Sequence, residues 1–153
     1  MNDPEIAEEL KRLVQLDADA VAAYDRAISA LGEGYVATEL ARFRLDHQRH
    51  IVELSKALLD LGVQPPEAGP DLKGTILGGF TSVRSRLGTE QALQAMKSNE
   101  QLTNASYATA VAKPFPEHVL ELVRRGYADE QRHLAWIERT LDTRSWEDAG
   151  ARA

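Results

Sequence analysis

The sequence contains no cysteine among its 153 residues. This absence excludes disulfides, thiolate zinc sites, iron–sulfur clusters and cysteine nucleophiles. No apolar run approaches the roughly 20 residues of a membrane-spanning helix, and the acidic N-terminus lacks the features of a signal peptide. The net charge of −6 argues against a nucleic-acid partner. We therefore expect a cytoplasmic protein that binds neither nucleic acid nor membrane.

Strand signals are also absent, and apolar residues recur at the three- and four-residue spacing of amphipathic helices. This spacing predicts four long helices, at residues 3–31, 35–61, 89–113 and 116–141. Short turns join helix 1 to helix 2 and helix 3 to helix 4, whereas a long connection with a possible short helix within 71–87 joins helix 2 to helix 3. The sequence thus predicts an all-α antiparallel four-helix bundle, as in ferritin-like folds, forming one domain over 1–142 with a frayed tail at 143–153.

The two halves of the chain repeat each other at an offset of 83 positions. The segment LDHQRHI, which begins at Leu45, corresponds to ADEQRHL, which begins at Ala128. The same offset takes Asp17 to Glu100, and it relates both helices of each half without a gap. Each half is therefore expected to form an αα-hairpin, and the bundle to have pseudo-two-fold symmetry.

Ionisable residues interrupt the apolar stripes that should face the interior of the bundle. They are Asp17, His47, His50, Glu100, Glu130 and His133. In each half, the turn lies midway between the carboxylate of the first helix and the ionisable pair of the second helix. Since residues equidistant from the turn of an antiparallel hairpin lie opposite each other, all six are expected near the middle of the bundle.

Three buried carboxylates require a positive charge among them, because burying one unpaired carboxylate costs several kcal/mol. No lysine or arginine occupies these stripes at that height, so a bound cation is the simplest source. Carboxylate oxygens and imidazole nitrogens suit iron, manganese or zinc. Glu130 and His133 have the i, i+3 spacing used by di-metal carboxylate bundles. The alternative is a structural or interaction bundle in which hydrogen bonds and water satisfy a degenerate polar layer.

The chain resembles ferritin-like proteins, and the small bacterial four-helix family DUF2383 in particular. The resemblance spans about residues 5–142 and is carried by the segments LDADAVAAYDRAI, LDHQRHI, SNEQLTNASYATAV and DEQRH. It implies a long crossover between helices 2 and 3. It also implies two divalent metal ions held by the six residues, with iron as the expected metal and manganese or zinc as the alternatives. It also implies a di-iron oxidoreductase acting on oxygen or peroxide. His47 stands where the family has a bridging glutamate, which leaves a mononuclear zinc site as an alternative.

Other polar residues lie beside these stripes. Asp46 and Asp129 are most simply exposed ion pairs with the arginines three residues later, or else they orient histidine ligands. Tyr24 and Tyr107 lie two helical turns from the carboxylates of their own helices, which favours a packing role over a redox relay. We also expect a homodimer, with the apolar segment 76–80 as its candidate contact.

Overall fold

The computed structural model describes residues 1–67 and 88–152, and this part of the chain forms helices and no strand. The helices are α1 (Asp3–Leu31), α2 (Tyr35–Asp60), α3 (Thr89–Val111), α4 (Glu117–Thr143) and α5 (Ser145–Arg152). The four long helices confirm the predicted all-α bundle. The short helix predicted within 71–87 and the apolar segment 76–80 lie outside the described residues.

Local hydrogen bonds and glycines determine where α1 begins and ends. The Asn2 side chain accepts a hydrogen bond from the Glu5 N–H at 2.9 Å, and the Glu5 carboxylate accepts one from the Asn2 N–H at 2.8 Å. This reciprocal pair satisfies backbone donors that the first helical turn leaves free. At the other end, Gly32 and Gly34 have φ angles of 75° and 139°, which residues with a Cβ rarely adopt. The chain therefore reverses between α1 and α2.

Contacts between the helices establish their directions. Tyr24 on α1 contacts Glu100 on α3, whereas the earlier Asp17 contacts the later Tyr107, so α1 and α3 are antiparallel. The short turns make α1 antiparallel to α2 and α3 antiparallel to α4. It follows that α2 and α3 run in the same direction. The end of α2 and the start of α3 therefore lie at opposite ends of the bundle, as the predicted long crossover requires.

The apolar core is divided into two clusters, one towards each end of the bundle. Leu10 and Leu58 belong to the first cluster, and Met96 and Ile137 belong to the second. Between them lies a layer of buried polar side chains. Since α1 to α4 all cross this level, each helix contributes at least one polar residue to it.

A short helix, α5, occupies Ser145–Arg152 of the segment for which the sequence predicts a frayed tail, and the fraying itself stays a prediction. Arg144 adopts a left-handed conformation that ends α4, and α5 follows it directly. The Arg144 guanidinium lies 3.1 Å from the Glu90 carboxylate, and the hydroxyls of Tyr35 and Ser145 are 2.5 Å apart. These contacts fix the start of α5 against the bundle. None of the described helices combines the length and apolar character needed to cross a membrane.

Candidate metal centre

The six ionisable residues predicted from the sequence lie together at mid-bundle, where each is at most 4% exposed. We call Asp17, His47, His50, Glu100, Glu130 and His133 the polar layer. Its residues form two overlapping groups, and within each group potential ligand atoms all lie within 4.8 Å of one another. The first group is Asp17, His47, His50 and Glu130, and the second is His47, Glu100, Glu130 and His133.

His47 and Glu130, which the offset of 83 relates, belong to both groups. Nδ1 of His47 is 2.7 Å from Oδ1 of Asp17, and its Nε2 is 3.1 Å from Oε1 of Glu100. The imidazole therefore presents one nitrogen to each group. The two carboxylate oxygens of Glu130 also face different groups. Oε1 lies 3.6 Å from Nδ1 of His50, and Oε2 lies 3.6 Å from Nδ1 of His133.

The histidines balance the carboxylate charges of the layer. Burial alone would lower the pKa of each imidazole, but the adjacent carboxylates outweigh burial. They raise the pKa of His47 well above its usual range, that of His50 to about 9 and that of His133 to about 10. The carboxyl groups of the layer thus favour the protonated, positively charged form of each imidazole. In the metal-free protein the histidines are thus a second source of positive charge, beside the bound cation that the sequence analysis expects.

Two ligand-type atoms of the layer are nevertheless left without a hydrogen-bond partner. They are Oε1 of Glu130 and Nδ1 of His133, both fully buried. Oε1 of Glu130 lies 3.4 Å from Nδ1 of His47, and Nδ1 of His133 lies 3.3 Å from Oε1 of Glu100, so each atom keeps only an electrostatic contact and a bound cation would give both a direct partner. The layer offers carboxylate oxygens and imidazole nitrogens, which is the donor chemistry of iron, manganese and zinc sites. The residues present therefore fit a metal centre.

Asp129 and Asp46 hold two of the histidines from outside the layer. Nε2 of His50 is 2.8 Å from Oδ2 of Asp129, and Nε2 of His133 is 2.8 Å from Oδ2 of Asp46. Because a carboxylate only accepts, each Nε2–H donates and each Nδ1 faces the layer. Each aspartate contacts the histidine of the opposite hairpin. Each aspartate thus makes both contacts that the sequence left open, the ion pair with the arginine three residues later and the bond to a histidine; an orienting role for a histidine ligand stays a prediction.

The two aspartates also belong to a ring of alternating charges between α2 and α4. Arg49 binds Asp129 and lies 3.0 Å from Asp46, while Arg132 lies 2.7 Å from Asp46 and 3.0 Å from Asp129. The arginines are half exposed and the aspartates are mostly buried. Burial would raise the pKa of Asp129, but His50 and Arg132 lower it to about 2. The aspartates therefore stay ionised beside the histidines.

Two buried tyrosines contact carboxylates of the layer from the other half of the chain. The Tyr107 hydroxyl donates to Oδ2 of Asp17 at 2.6 Å, and the Tyr24 hydroxyl donates to Oε1 of Glu100. Both tyrosines are buried in the core clusters, in agreement with the favoured packing role, and each hydroxyl adds a hydrogen bond that the distance along one helix did not predict. Since α1 and α3 are antiparallel, each tyrosine reaches the carboxylate on the other helix.

Thr103 and Asn104 on α3 also contact the layer, and the sequence pattern did not single them out. The Thr103 hydroxyl lies 3.0 Å from Oε2 of Glu100 and 3.1 Å from Oε2 of Glu130. The Asn104 amide donates to the backbone carbonyl of Glu130 at 2.9 Å. The sequence feature that could have indicated this contact is Thr103 itself, a polar residue on the inward stripe of α3, one turn after Glu100. These contacts fix α3 to α4 beside the layer.

The topology and the buried carboxylate–histidine layer define a ferritin-like four-helix bundle. The fold is similar to a solved structure described as a crystal structure of ferritin like, diiron-carboxylate proteins from Bacillus anthracis str. Ames. The TM-score is 0.69 at 19% sequence identity, covering 92% of this chain and 99% of the other. At this identity the likeness establishes the fold. No curated protein matches the sequence.

The family is established by the sequence. Residues 5–113 match the family model described as domain of unknown function DUF2383, and the chain belongs to this family. The matched range contains α1 from Glu5 onwards and all of α2 and α3, and it ends before α4, which carries Glu130 and His133. Four of the six residues of the polar layer therefore lie within the match.

Proposed function

We propose that this protein binds divalent metal ions in the polar layer, with all six residues of the layer as ligands. The observation that carries the proposal is the pair of overlapping ligand groups, in which Oε1 of Glu130 and Nδ1 of His133 have no hydrogen-bond partner. Iron or manganese suits the mixed oxygen and nitrogen donors, with zinc as the alternative.

Two groups favour two ions over one. Asp17 and His50 would complete the first group and Glu100 and His133 the second, with Glu130 between them. The orientation of His50 and His133 favours ligation through Nδ1, because Asp129 and Asp46 occupy each Nε2. Iron bound there would supply redox chemistry with oxygen or peroxide as oxidant, which is the basis for proposing an oxidoreductase.

The protein residues exchange protons when the layer accepts an ion. Only neutral imidazole ligates, so the histidines must release the protons that the carboxylates stabilise in the metal-free protein. The hydroxyl groups of Tyr24 and Tyr107 keep Glu100 and Asp17 in place from the opposite helices. The charge ring lies over His50 and His133 on the α2–α4 side.

A structural bundle without metal is the second candidate function, and one observation favours it. The carboxylates of the layer raise the pKa of all three histidines, so the histidines supply positive charge within the metal-free layer. Such a layer would hold the two hairpins together through the contact of His47 on α2 with Glu100 on α3. The two candidates differ in whether purified protein carries metal.

Metal content per chain tests the proposal directly. We expect close to two iron or manganese ions per chain in protein purified without chelator, as measured by inductively coupled plasma mass spectrometry. Glu130→Gln should lose the metal, since it removes the carboxylate that both groups share while keeping its shape. Glu138→Gln, an exposed change on the same helix, should keep it.

Three other results would decide against the proposal in distinguishable ways. One zinc ion per chain would replace the two-ion site by the mononuclear alternative. Equal metal content in Glu130→Gln and Glu138→Gln would place the metal elsewhere. No metal in the wild type, with unchanged thermal stability on adding Fe(II), Mn(II) or Zn(II), would establish the structural bundle instead.

A further inference from the structure

The ring of His47 lies between the two ligand groups of the polar layer. Its Nδ1 contacts Asp17 in the first group at 2.7 Å, and its Nε2 contacts Glu100 in the second group at 3.1 Å. The other two histidines of the layer are placed differently, because an aspartate outside the layer accepts from Nε2 of each and leaves Nδ1 as the nitrogen that faces the layer. His47 therefore directs both of its nitrogens into the layer, one towards each group.

The spacing of the ligand atoms in the first group is that of ligands around one ion. Nδ1 of His47 lies 2.7 Å from Oδ1 of Asp17 and 3.4 Å from Oε1 of Glu130. Nδ1 of His50 lies 3.1 Å and 3.6 Å from the same two oxygens. Ligands bonded at about 2.1 Å to one ion are about 3.0–3.4 Å apart, whether the geometry is octahedral or tetrahedral. Small adjustments of these side chains would therefore let all four bind one ion.

The second group has the same spacing around the other nitrogen of His47. Oε1 of Glu100 lies 3.1 Å from Nε2 of His47 and 3.3 Å from Nδ1 of His133. Oε2 of Glu130 lies 3.6 Å from that same Nδ1. Each group also contains one of the two atoms without a hydrogen-bond partner, Oε1 of Glu130 in the first and Nδ1 of His133 in the second. Each group would therefore be completed by an ion of its own.

Charge balance in a layer with two ions requires one further negative charge. Two divalent ions bring four positive charges, whereas Asp17, Glu100 and Glu130 bring three negative ones. The remaining positive charge would lie among residues that are at most 4% exposed, where an unpaired charge is unfavourable. A neutral imidazole has one free nitrogen, so a ring that binds a second ion must release its other proton as well and then carries one negative charge. The layer with two ions is then neutral.

We propose that His47 bridges the two ions as an imidazolate, with Nδ1 bound to the ion of the first group and Nε2 bound to the ion of the second. This inference rests on the proposed function, since it describes how the layer holds its two ions. The ring releases both of its protons to water as the two bonds to the ions form. At the offset of 83, His47 corresponds to Glu130, and the imidazolate carries the same charge as that carboxylate.

The imidazole ring determines the distance between the ions. Bonds of about 2.1 Å on opposite sides of the ring place the two ions about 6 Å apart, whereas common two-metal sites have about 3.5–4 Å between their ions. The ring is rigid, and the Glu130 side chain has rotatable bonds through which its two oxygens can follow the ions. His47 is therefore the residue that determines the spacing of the proposed centre.

The separation of the ions tests the bridge in the unmodified protein. In crystals of protein loaded with Zn(II), anomalous diffraction should give two peaks per chain about 6 Å apart, with the His47 ring between them. Zinc X-ray absorption of the same protein in solution should show scattering from bound imidazole and no zinc–zinc distance near 3.5 Å. His47→Glu makes the two halves of the repeat alike and should bring the ions to about 3.5–4 Å, because a carboxylate is a shorter bridge.

The number of ions that each histidine holds gives a second test, by titration calorimetry with Zn(II). His47→Gln removes a ligand from both groups, so it should weaken both ions by at least about tenfold, the loss that follows removal of a ligand's own partner. His50→Gln removes a ligand from the first group and should weaken one ion. His118→Gln is the control, because it makes the same change at an exposed histidine near the start of α4. Circular dichroism of each variant checks that it remains folded.

The outcomes separate the bridge from the proposed function. Two zinc ions about 3.5–4 Å apart in the wild type would overturn the bridge and leave the metal centre in place. A His47→Gln variant that weakens one ion, as His50→Gln does, would likewise show that His47 binds a single ion. A wild type that binds one zinc ion, or none, would contradict both the bridge and the two-ion centre.

Discussion

At the scale of single residues, the candidate centre depends on aspartates that contact no proposed ion. Asp129 accepts from Nε2 of His50, and in doing so it directs Nδ1 towards Asp17 and Glu130. Asp46 does the same for His133. Removing a partner of this kind typically lowers metal affinity by about tenfold to hundredfold, because the partner fixes the orientation and basicity of the ligand.

Asp129→Leu should therefore weaken metal binding by about tenfold or more while the ligands themselves remain. Leucine keeps the branched shape of the side chain and removes the acceptor for His50, whereas Asp129→Asn retains an acceptor oxygen and should restore part of the affinity. Glu39→Leu is the control, since Glu39 pairs with Arg42 on the surface of α2. Titration calorimetry with Zn(II) measures all three variants. Equal affinities in Asp129→Leu and Glu39→Leu would contradict the orienting role.

At the scale of the helices, the two halves differ where α4 packs on α3. Phe43 stacks on the His133 ring with centroids 4.3 Å apart, and its equivalent on α4 is Gly126. A Cβ built at Gly126 would lie 2.6 Å from Cε1 of Tyr107, closer than side-chain atoms approach. The glycine therefore makes room for the tyrosine that donates to Asp17.

Gly126→Ala should lower the free energy of unfolding, although alanine is the better helix former by about 1 kcal/mol. Overpacking costs about 1–3 kcal/mol, and a displaced Tyr107 also loses its hydrogen bond to buried Asp17. Urea unfolding of the metal-free protein measures the change. A gain of stability close to the helix propensity of alanine would show that Tyr107 moves aside at no cost.

Helical periodicity accounts for what the sequence could predict at this scale. The positions of Asp17, His47 and His50 follow from the stripe and from the Gly32–Gly34 turn, because both are local. The bond between Tyr24 and Glu100 is not local. It depends on the relative direction of α1 and α3, which the crossover determines and the period of neither helix encodes.

The same distinction applies to Asp46, which lies one position off the inward stripe. Its sequence spacing matches an exposed pair with Arg49 as well as a contact with His133, and the structure contains both. Whether Asp46 reaches His133 as well as Arg49 depends on how closely α2 approaches α4. Only the packed bundle determines that distance.

At the scale of the whole molecule, the polar layer links stability to pH. The pKa of His50 is about 9 and that of His133 about 10 in the folded chain, against 6.5 in the unfolded chain. Their contribution to stability is therefore complete below pH 6.5 and is lost as pH rises through these values. Glu130, whose pKa burial raises to about 7 from 4.5, acts in the same direction. Asp129, with a pKa lowered to about 2, contributes above pH 3.8 and loses its contribution towards pH 2.

The metal-free protein should accordingly unfold at progressively lower temperature between pH 6.5 and 10, because over this range the unfolded chain has released histidine protons that the folded chain still holds. Added metal should have the opposite dependence, because ions compete with those protons for the imidazole nitrogens. The rise in unfolding temperature caused by Mn(II) or Zn(II) should thus grow from pH 6 to pH 8 in the wild type. Glu130→Gln should show no such rise, and calorimetric scans with and without metal measure both. A stabilisation that is constant across this range would mean that the ions bind groups other than the protonated histidines of the layer.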